Sequence, residues 1–279
     1  MNVPVAAVVV LIASMATATA ANCPRKGALG TSRTLKVDAA ATPQVGLKSF
    51  PQTLPLADHE VVLTFDDGPS PTATPRVLAA LAHECVRATF FLIGKPASEH
   101  PDLVRRIAAG RHTIGHHTWQ HRNLGQIPPG ETTEEIDHGI SAVEMALHGI
   151  ETTTPSTPFF RFPFFESTPA TLELLKSRGI VVFGTDLWAS DWSPITPKQE
   201  LKLLTDRLRV ARKGIILLHD PQARTAAMLP AFLRYLRDND YRVVHLVPAH
   251  PGVEIPRAEI PGAEVHGVEV PGVETNGVP

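Results

Sequence analysis

The 279-residue chain has only two cysteines, no excess of either charge and, past residue 21, no apolar run of membrane length. Each shortage excludes something. A formal net charge of -2 leaves no basic face for nucleic acid and no support for electrostatic attachment to a membrane. Two cysteines are too few for a disulfide scaffold and just enough for one bridge. The lack of a second long apolar run confines any membrane-directed segment to the N-terminus. What is present, 43% hydrophobic residues, suffices for one substantial core, and the expectation is a single domain with extensions.

Residues 1–21 are small and apolar and end in Ala-Thr-Ala-Thr-Ala-Ala, which reads as a secretory signal peptide cut after Ala20 or Ala21. Lys and Arg are missing from its first residues, and a short membrane anchor is the alternative, but the segment is short for a span and rich in Ala and Thr. A secreted or periplasmic protein is therefore expected. In that setting Cys23 and Cys85 can pair and tie the start of the mature chain to its body. The alternatives are a lipid-anchored Cys23, against which stand the small residues before it and Asn22, and a Cys85 that is simply a buried hydrophobe. Residues 22–60 mix Pro, Gly, Ser, Thr and charge without long periodicity and read as an extended arm.

From Val61 onward short apolar runs alternate with helical patterns. Strands are expected at Val61–Phe65, Ala88–Ile93, His112–Ile114, Phe159–Arg161, Ile180–Phe183, Gly214–Leu218 and Tyr241–Val244, with amphipathic helices between them. The alternation implies an α/β fold with a parallel sheet, closed or nearly closed into a barrel, or else doubly wound. In a barrel the chemistry sits at the C-terminal ends of the strands.

The charged motifs fall at those ends. Val61–Pro69 is a β-branched run that stops at Asp66 and Asp67 before a Gly-Pro turn. Adjacent buried carboxylates repel, and a nearby cation relieves that, leaving one as metal ligand and the other as proton acceptor. A solvated turn is the plain alternative. His117 and His121 stand four apart, a spacing that on a helical turn puts both rings on one face, able to share a metal, while His116 points elsewhere. Arg161 sits in an aromatic run and needs a carboxylate partner. Asp186, Asp191 and Trp192 follow the fifth strand. His219 ends the sixth, either a general acid or a satisfied core histidine.

Taken in order, Thr64-Phe-Asp-Asp-Gly-Pro69, His117-Thr-x-x-His121, Arg161-Phe-Pro163, Asp186 through Trp192, and Leu217-Leu-His219 resemble the five motifs of the NodB-type polysaccharide deacetylases, carbohydrate esterase family four. The resemblance covers residues 60–247. It implies a distorted (β/α)7 barrel of the NodB-homology type and a hydrolase that removes acetyl groups with the help of a divalent metal, zinc above all. It implies Asp67, His117 and His121 as metal ligands, Asp66 as general base oriented by Arg161, and His219 as general acid held by Asp191. Trp192 and Leu217 would wall the acetyl pocket, and a backbone N–H near Phe164 would face the oxyanion. Asp186 would stand behind the site. The family often has Asn where this chain has His116 and Tyr where it has Phe164, departures that bear on the substrate more than on catalysis.

The domains expected are a signal peptide at 1–21, an arm at 22–60, the NodB-homology domain at 61–249 and a tail at 250–279. The tail repeats every five residues with recurrent Pro and Gly, reads as disordered, and holds His266 without making it a ligand. The function expected is deacetylation of an N-acetylated glycan, chitin-like or peptidoglycan, by a monomer with no nucleic-acid partner and no membrane attachment beyond the leader. An O-acetyl polysaccharide esterase, a small-amide hydrolase and a non-catalytic glycan-binding barrel are the rivals.

Overall fold

Every residue from Glu60 to Asp66 is buried, which a strand achieves only when both its faces and both its edges are covered. The computed structural model describes residue 23 and residues 25–250, and it places this strand at the centre of a mostly parallel sheet. The leader and most of the tail lie outside the described residues. In chain order the strands are β1 (Thr31–Val37), β2 (Gln44–Val45), β3 (Glu60–Asp66), β4 (Thr89–Leu92), β5 (Thr113–His116), β6 (Phe159–Phe160), β7 (Val181–Phe183), β8 (Leu187–Trp188), β9 (Gly214–His219) and β10 (Arg242–Pro248). The helices are α1 (Thr74–His83), α2 (Gly94–Glu99), α3 (Pro101–Ala109), α4 (Pro129–His148), α5 (Pro169–Ser177), α6 (Pro197–Ala211) and α7 (Ala223–Asp238).

Parallel pairing runs β8–β9–β3–β4–β5–β6–β7. Between β7 and β8 the ring is split, and the arm fills the split. β2 pairs with β7, and Gly46 just after it presses on Gly184. A Cβ on Gly46 would fall 2.5 Å from the Gly184 carbonyl carbon and the Thr185 nitrogen, and its φ of 111° also suits only glycine. The barrel is therefore distorted by an inserted strand. The seventh strand expected from the sequence, Tyr241–Val244, is not part of the ring. It belongs to β10, which pairs with β1 and with only the first two residues of β3, and the short β8 takes its place.

Helices α1, α3 and α7 pack their apolar faces on one side of β3, β4 and β9. Val77, Leu81, Val104, Ile107, Leu229 and Phe232 lie there with Phe65 and Phe90. Pro at or beside the first position starts α1, α3, α4, α5 and α6, where its missing N–H is harmless. Thr168 and Thr196 cap α5 and α6 with reciprocal hydrogen bonds. At the N-terminal ends of the strands, Cys23 and Cys85 form a disulfide, as the sequence led one to expect. Among the described residues no helix is long and apolar enough to cross a membrane.

Candidate active site

The site is assembled where β3, β5, β6 and β9 end. In-register pairing puts Asp66 beside His219 across the β3–β9 ladder and His116 beside Phe160 across β5–β6. His117 and Arg161 follow directly on the latter pair. A cavity of about 390 Å³ opens here, lined by Asp66, Asp67, His117, His121 and His219 and walled by Trp192 and Leu217.

Asp67 Oδ1 lies 3.3 Å from His117 Nε2 and 3.3 Å from His121 Nε2. The three candidate ligand atoms all fall within 4.8 Å of one another, a group that could hold a metal ion. Buried Asp67 Oδ1 has no hydrogen-bond donor among the described residues. The Nδ1 of His117 sits 2.6 Å from the Arg161 carbonyl oxygen. A carbonyl can only accept, so Nδ1 carries the proton and Nε2 keeps its lone pair for the shared centre. An orphaned carboxylate oxygen and two imidazoles fit a divalent cation with open positions. Burial raises the Asp67 pKa, but the three surrounding imidazoles, His117 first and then His219 and His121, outweigh it and hold the carboxyl well below its usual range. Burial and the His117 charge lower the pKa of His121.

The two histidines do not meet on a helical turn. Residues 117–121 form a loop in which Thr118 and His121 have left-handed backbone, φ 66° and 59°, and Thr118 Oγ1 accepts the His121 N–H at 3.0 Å. Asp67, Phe164 and Phe165 share that conformation around the same cavity. Left-handed non-glycine residues are strained, and such strain gathers where a fold serves chemistry.

Asp66 and Arg161 are a buried pair. Arg161 Nη1 donates to Asp66 Oδ1 at 2.8 Å and to Thr64 Oγ1 at 2.8 Å, while Nε and Nη2 donate to the carbonyls of Phe183 and Gly184. Its guanidinium also lies 4.3 Å from the centre of the Phe91 ring. Opposite, His219 Nδ1 donates to Asp191 Oδ1 at 2.8 Å, and Asp191 Oδ2 accepts the His219 backbone N–H at 2.7 Å. The His219 Nε2 points back across the cavity, 3.9 Å from Asp67 Oδ2. Burial alone would lower the His219 pKa, but Asp191 through its hydrogen bond and charge, with Asp67 and Asp66, raises it to about 9.

The remaining residues singled out from sequence are placed as follows. The Trp192 ring is edge-on to His219 at 5.7 Å, and that of Phe164 to His121 at 4.7 Å. His116 turns away to the buried Glu144 at 3.6 Å. Asp186 is occupied with the arm, accepting from the Leu47 N–H, Thr53 Oγ1 and the Ile215 N–H. Three neighbours escaped sequence reasoning. Lys48 of the arm lines the cavity, its ammonium 4.8 Å from the centre of the Trp188 ring. Thr225 donates to Asp191 Oδ2 at 2.7 Å. Asp220, wholly buried, accepts from Thr74 and packs on Gly68, bracing the turn after Asp67.

A split parallel barrel with an Asp-His-His group that could hold a metal, flanked by Asp-Arg and His-Asp pairs, has the groups of a hydrolase. Comparison with known proteins narrows it. Residues 54–183 match the family described as Polysaccharide deacetylase. The chitooligosaccharide deacetylase of Azorhizobium caulinodans is 34% identical over 161 residues, 57% of this chain and 73% of that one. A peptidoglycan-N-acetylglucosamine deacetylase of Listeria monocytogenes is 31% identical over 191 residues, 67% of this chain but only 38% of that one. Among solved structures, a peptidoglycan deacetylase of Bdellovibrio bacteriovorus superposes with a TM-score of 0.71 at 31% identity, covering 81% of this chain and 62% of that one. The chain belongs to the polysaccharide deacetylase family, the NodB-type carbohydrate esterases of family four.

Proposed function

We propose that the protein is a secreted or periplasmic, metal-dependent deacetylase that hydrolyses the acetamide of N-acetylated glycans and releases acetate. The observation that carries this reading is the orphaned Asp67 Oδ1 between two imidazoles, set between the Asp66–Arg161 and His219–Asp191 pairs. Asp67, His117 and His121 would hold the metal, zinc by donor chemistry. A divalent ion there polarises the amide carbonyl and acidifies water.

The chain's own groups do the rest. Asp66 accepts the proton of the attacking water, with Arg161 fixing its orientation through Oδ1. His219, protonated and aimed by Asp191, gives its Nε2 proton to the departing amine as the C–N bond breaks. Trp192 and Leu217 line the pocket assigned to the acetyl methyl, and the backbone N–H of Phe164 is the group assigned to the carbonyl oxygen. The relatives named above act on peptidoglycan or chitooligosaccharides, so both glycans are candidate substrates. The disulfide supports an oxidising compartment and, with it, a secretory leader at 1–21; the rest of the proposed division is an arm at 22–60, a catalytic domain at 61–249 and a tail at 250–279.

The test is acetate release by residues 22–279 from N-acetylglucosamine oligomers, peptidoglycan and acetylated xylan, metal-stripped and zinc-restored. Release from the first two that needs zinc supports the proposal. Silence on all three with zinc bound, or equal rates without metal, rejects it.

A further inference from the structure

Asp191 shares a hydroxyl with a second carboxyl group that the reaction above does not use. Glu200 in the first turn of α6, Thr225 in the first turn of α7, and Asp191 are wholly buried together. Thr225 Oγ1 lies 2.7 Å from Asp191 Oδ2 and 3.2 Å from Glu200 Oε1. A hydroxyl has one proton to donate. Asp191 takes it at the shorter distance, along with the two His219 N–H groups, so Asp191 is the ionised member. The Thr225–Glu200 contact is then a hydrogen bond only if Glu200 supplies the proton.

The surroundings of Glu200 agree. Its Oε2 has no hydrogen-bond partner, a poor setting for a charge and a tolerable one for an acid's carbonyl oxygen. The charged groups around it are Asp191, Arg224 and His219. Arg224 commits Nη1 to the Ser193 carbonyl, and among the described residues no cation bonds Glu200. Burial first, and then the Asp191 charge, push the Glu200 pKa up to about 7.

We propose that Glu200 is a neutral carboxylic acid that donates through Thr225 to Asp191, a positioning residue at the head of a Glu200–Thr225–Asp191–His219 chain that aims the catalytic acid. The proposal rests on the reading of His219 as that acid. Ionised, Glu200 would lose its bond to Thr225 and set a second negative charge against Asp191. Neutral, it leaves Asp191 one charge and a fixed orientation, and His219 one direction for Nε2.

Four variants test it, each assayed with zinc for kcat and KM and checked for folding by Tm. Glu200→Met and Thr225→Val remove links of the chain and are expected to lower kcat about tenfold with KM little changed. Glu200→Gln and Thr225→Ser keep a donor at each position and are expected to retain at least half of kcat. A Glu200→Gln enzyme as poor as Glu200→Met overturns the proposal, because a carboxylate would then be what the site needs. So does a Glu200→Met enzyme that matches the parent. The infrared difference spectrum of parent minus Glu200→Gln near pH 6 should contain the C=O band of a protonated carboxyl; a carboxylate band in its place overturns the proposal independently of activity. Asp191→Asn separates this inference from its premise. An unimpaired Asp191→Asn enzyme rejects His219 as the acid and the chain with it, whereas an impaired one beside an unimpaired Glu200→Met rejects the chain alone.

Discussion

Two ion pairs face each other across the cavity, and they differ in whether the cation can discharge. On the side proposed to hold the base, Arg161 is fully buried and its Nε, Nη1 and Nη2 donate to Asp66, Thr64 and two backbone carbonyls. Burial lowers its pKa and Asp66 opposes that, but a guanidinium does not give up its proton in a protein. On the acid side His219 is partly open to the cavity and its proton is exchangeable. A general base needs a fixed counter-charge that holds it in place through the cycle, whereas a general acid needs a partner that favours its proton without trapping it. On the proposed roles, Arg161 just after β6 is the first kind of partner, for Asp66, and Asp191 in the loop after β8 is the second, for His219.

Asp66→Asn should break the fixed side and produce the largest effect. Loss of the base is expected to reduce kcat about a thousandfold. It also leaves a buried guanidinium without its counter-charge, for a stability loss of about 3 kcal/mol that no pH within the folded range recovers. Steady-state kinetics and urea unfolding measure the two parts. Equal stability of variant and parent would show that the carbonyls alone satisfy Arg161.

Asp191→Asn should break the switchable side more gently, with kcat down about a hundredfold. The His219 pKa is raised from 6.5 to about 9 chiefly by Asp191, so the pair stabilises the fold fully below about pH 6.5 and not at all above about pH 9. NMR titration of the metal-stripped protein should find His219 near 9 in the parent and close to its ordinary value in Asp191→Asn. A histidine that titrates alike in both proteins would remove Asp191 as the cause. Because His219 can go neutral, the variant should lose less stability at pH 8 than Asp66→Asn does.

The base side was more legible in the sequence than its geometry was. A β-branched run cut off by Asp66-Asp67-Gly68-Pro69 announces a strand end with paired carboxylates, and an Arg among phenylalanines announces a buried partner. The His117–His121 spacing pointed to two rings that the structure brings together beside Asp67, but through the wrong conformation, since left-handed Thr118 and His121 do in a loop what a helical turn would have done. The inserted β2 was invisible because two residues carry no periodicity. α2 was missed because Gly94–Glu99 has no apolar stripe. β1 does alternate along its length, but its exposed positions are polar and only Leu35 and Val37 of its inward ones are apolar, so it read as arm. Glu200 was hidden by its position, since an acidic residue in the first turn of a helix ordinarily serves the helix dipole.

The metal side can be loosened without touching either pair. Gly139 of α4 lies directly behind the loop, where a Cβ would collide with the Thr118 carbonyl and approach the Trp119 nitrogen. The Thr118 and Trp119 carbonyls accept from the Gly94 and Lys95 N–H groups at 2.8 and 3.0 Å, so a push on this turn is passed along the loop toward His121 rather than absorbed at one peptide. Gly139→Ala should therefore shift His121 and weaken zinc about tenfold, with kcat recovered at saturating metal. Isothermal titration gives the affinity, and an unchanged value would mean that α4 moves instead of the loop.

The smallest effect on chemistry should come from the far end of the strands. Cys85 lies between α1 and β4, at the N-terminal side of the sheet, and its bridge to Cys23 spans 62 residues of sequence. Glu84 beside it accepts the Leu29 N–H and pairs with Arg25 and Arg237, so the same spot holds the arm by hydrogen bonds and charge as well. Closing a loop of that length restricts the unfolded chain, and replacing both cysteines by serine should remove about 2–4 kcal/mol of stability. Glu84 and the β1–β10 ladder remain to keep the arm in place, and β2 with Lys48 depends on Gly46 and Asp186 rather than on the bridge. Acetate release at 25 °C should thus stay within about twofold of the parent while Tm falls. A large loss of kcat in a variant still folded at that temperature would mean that the disulfide sets the position of the arm at the cavity, and that the two ends of the barrel are coupled through β2.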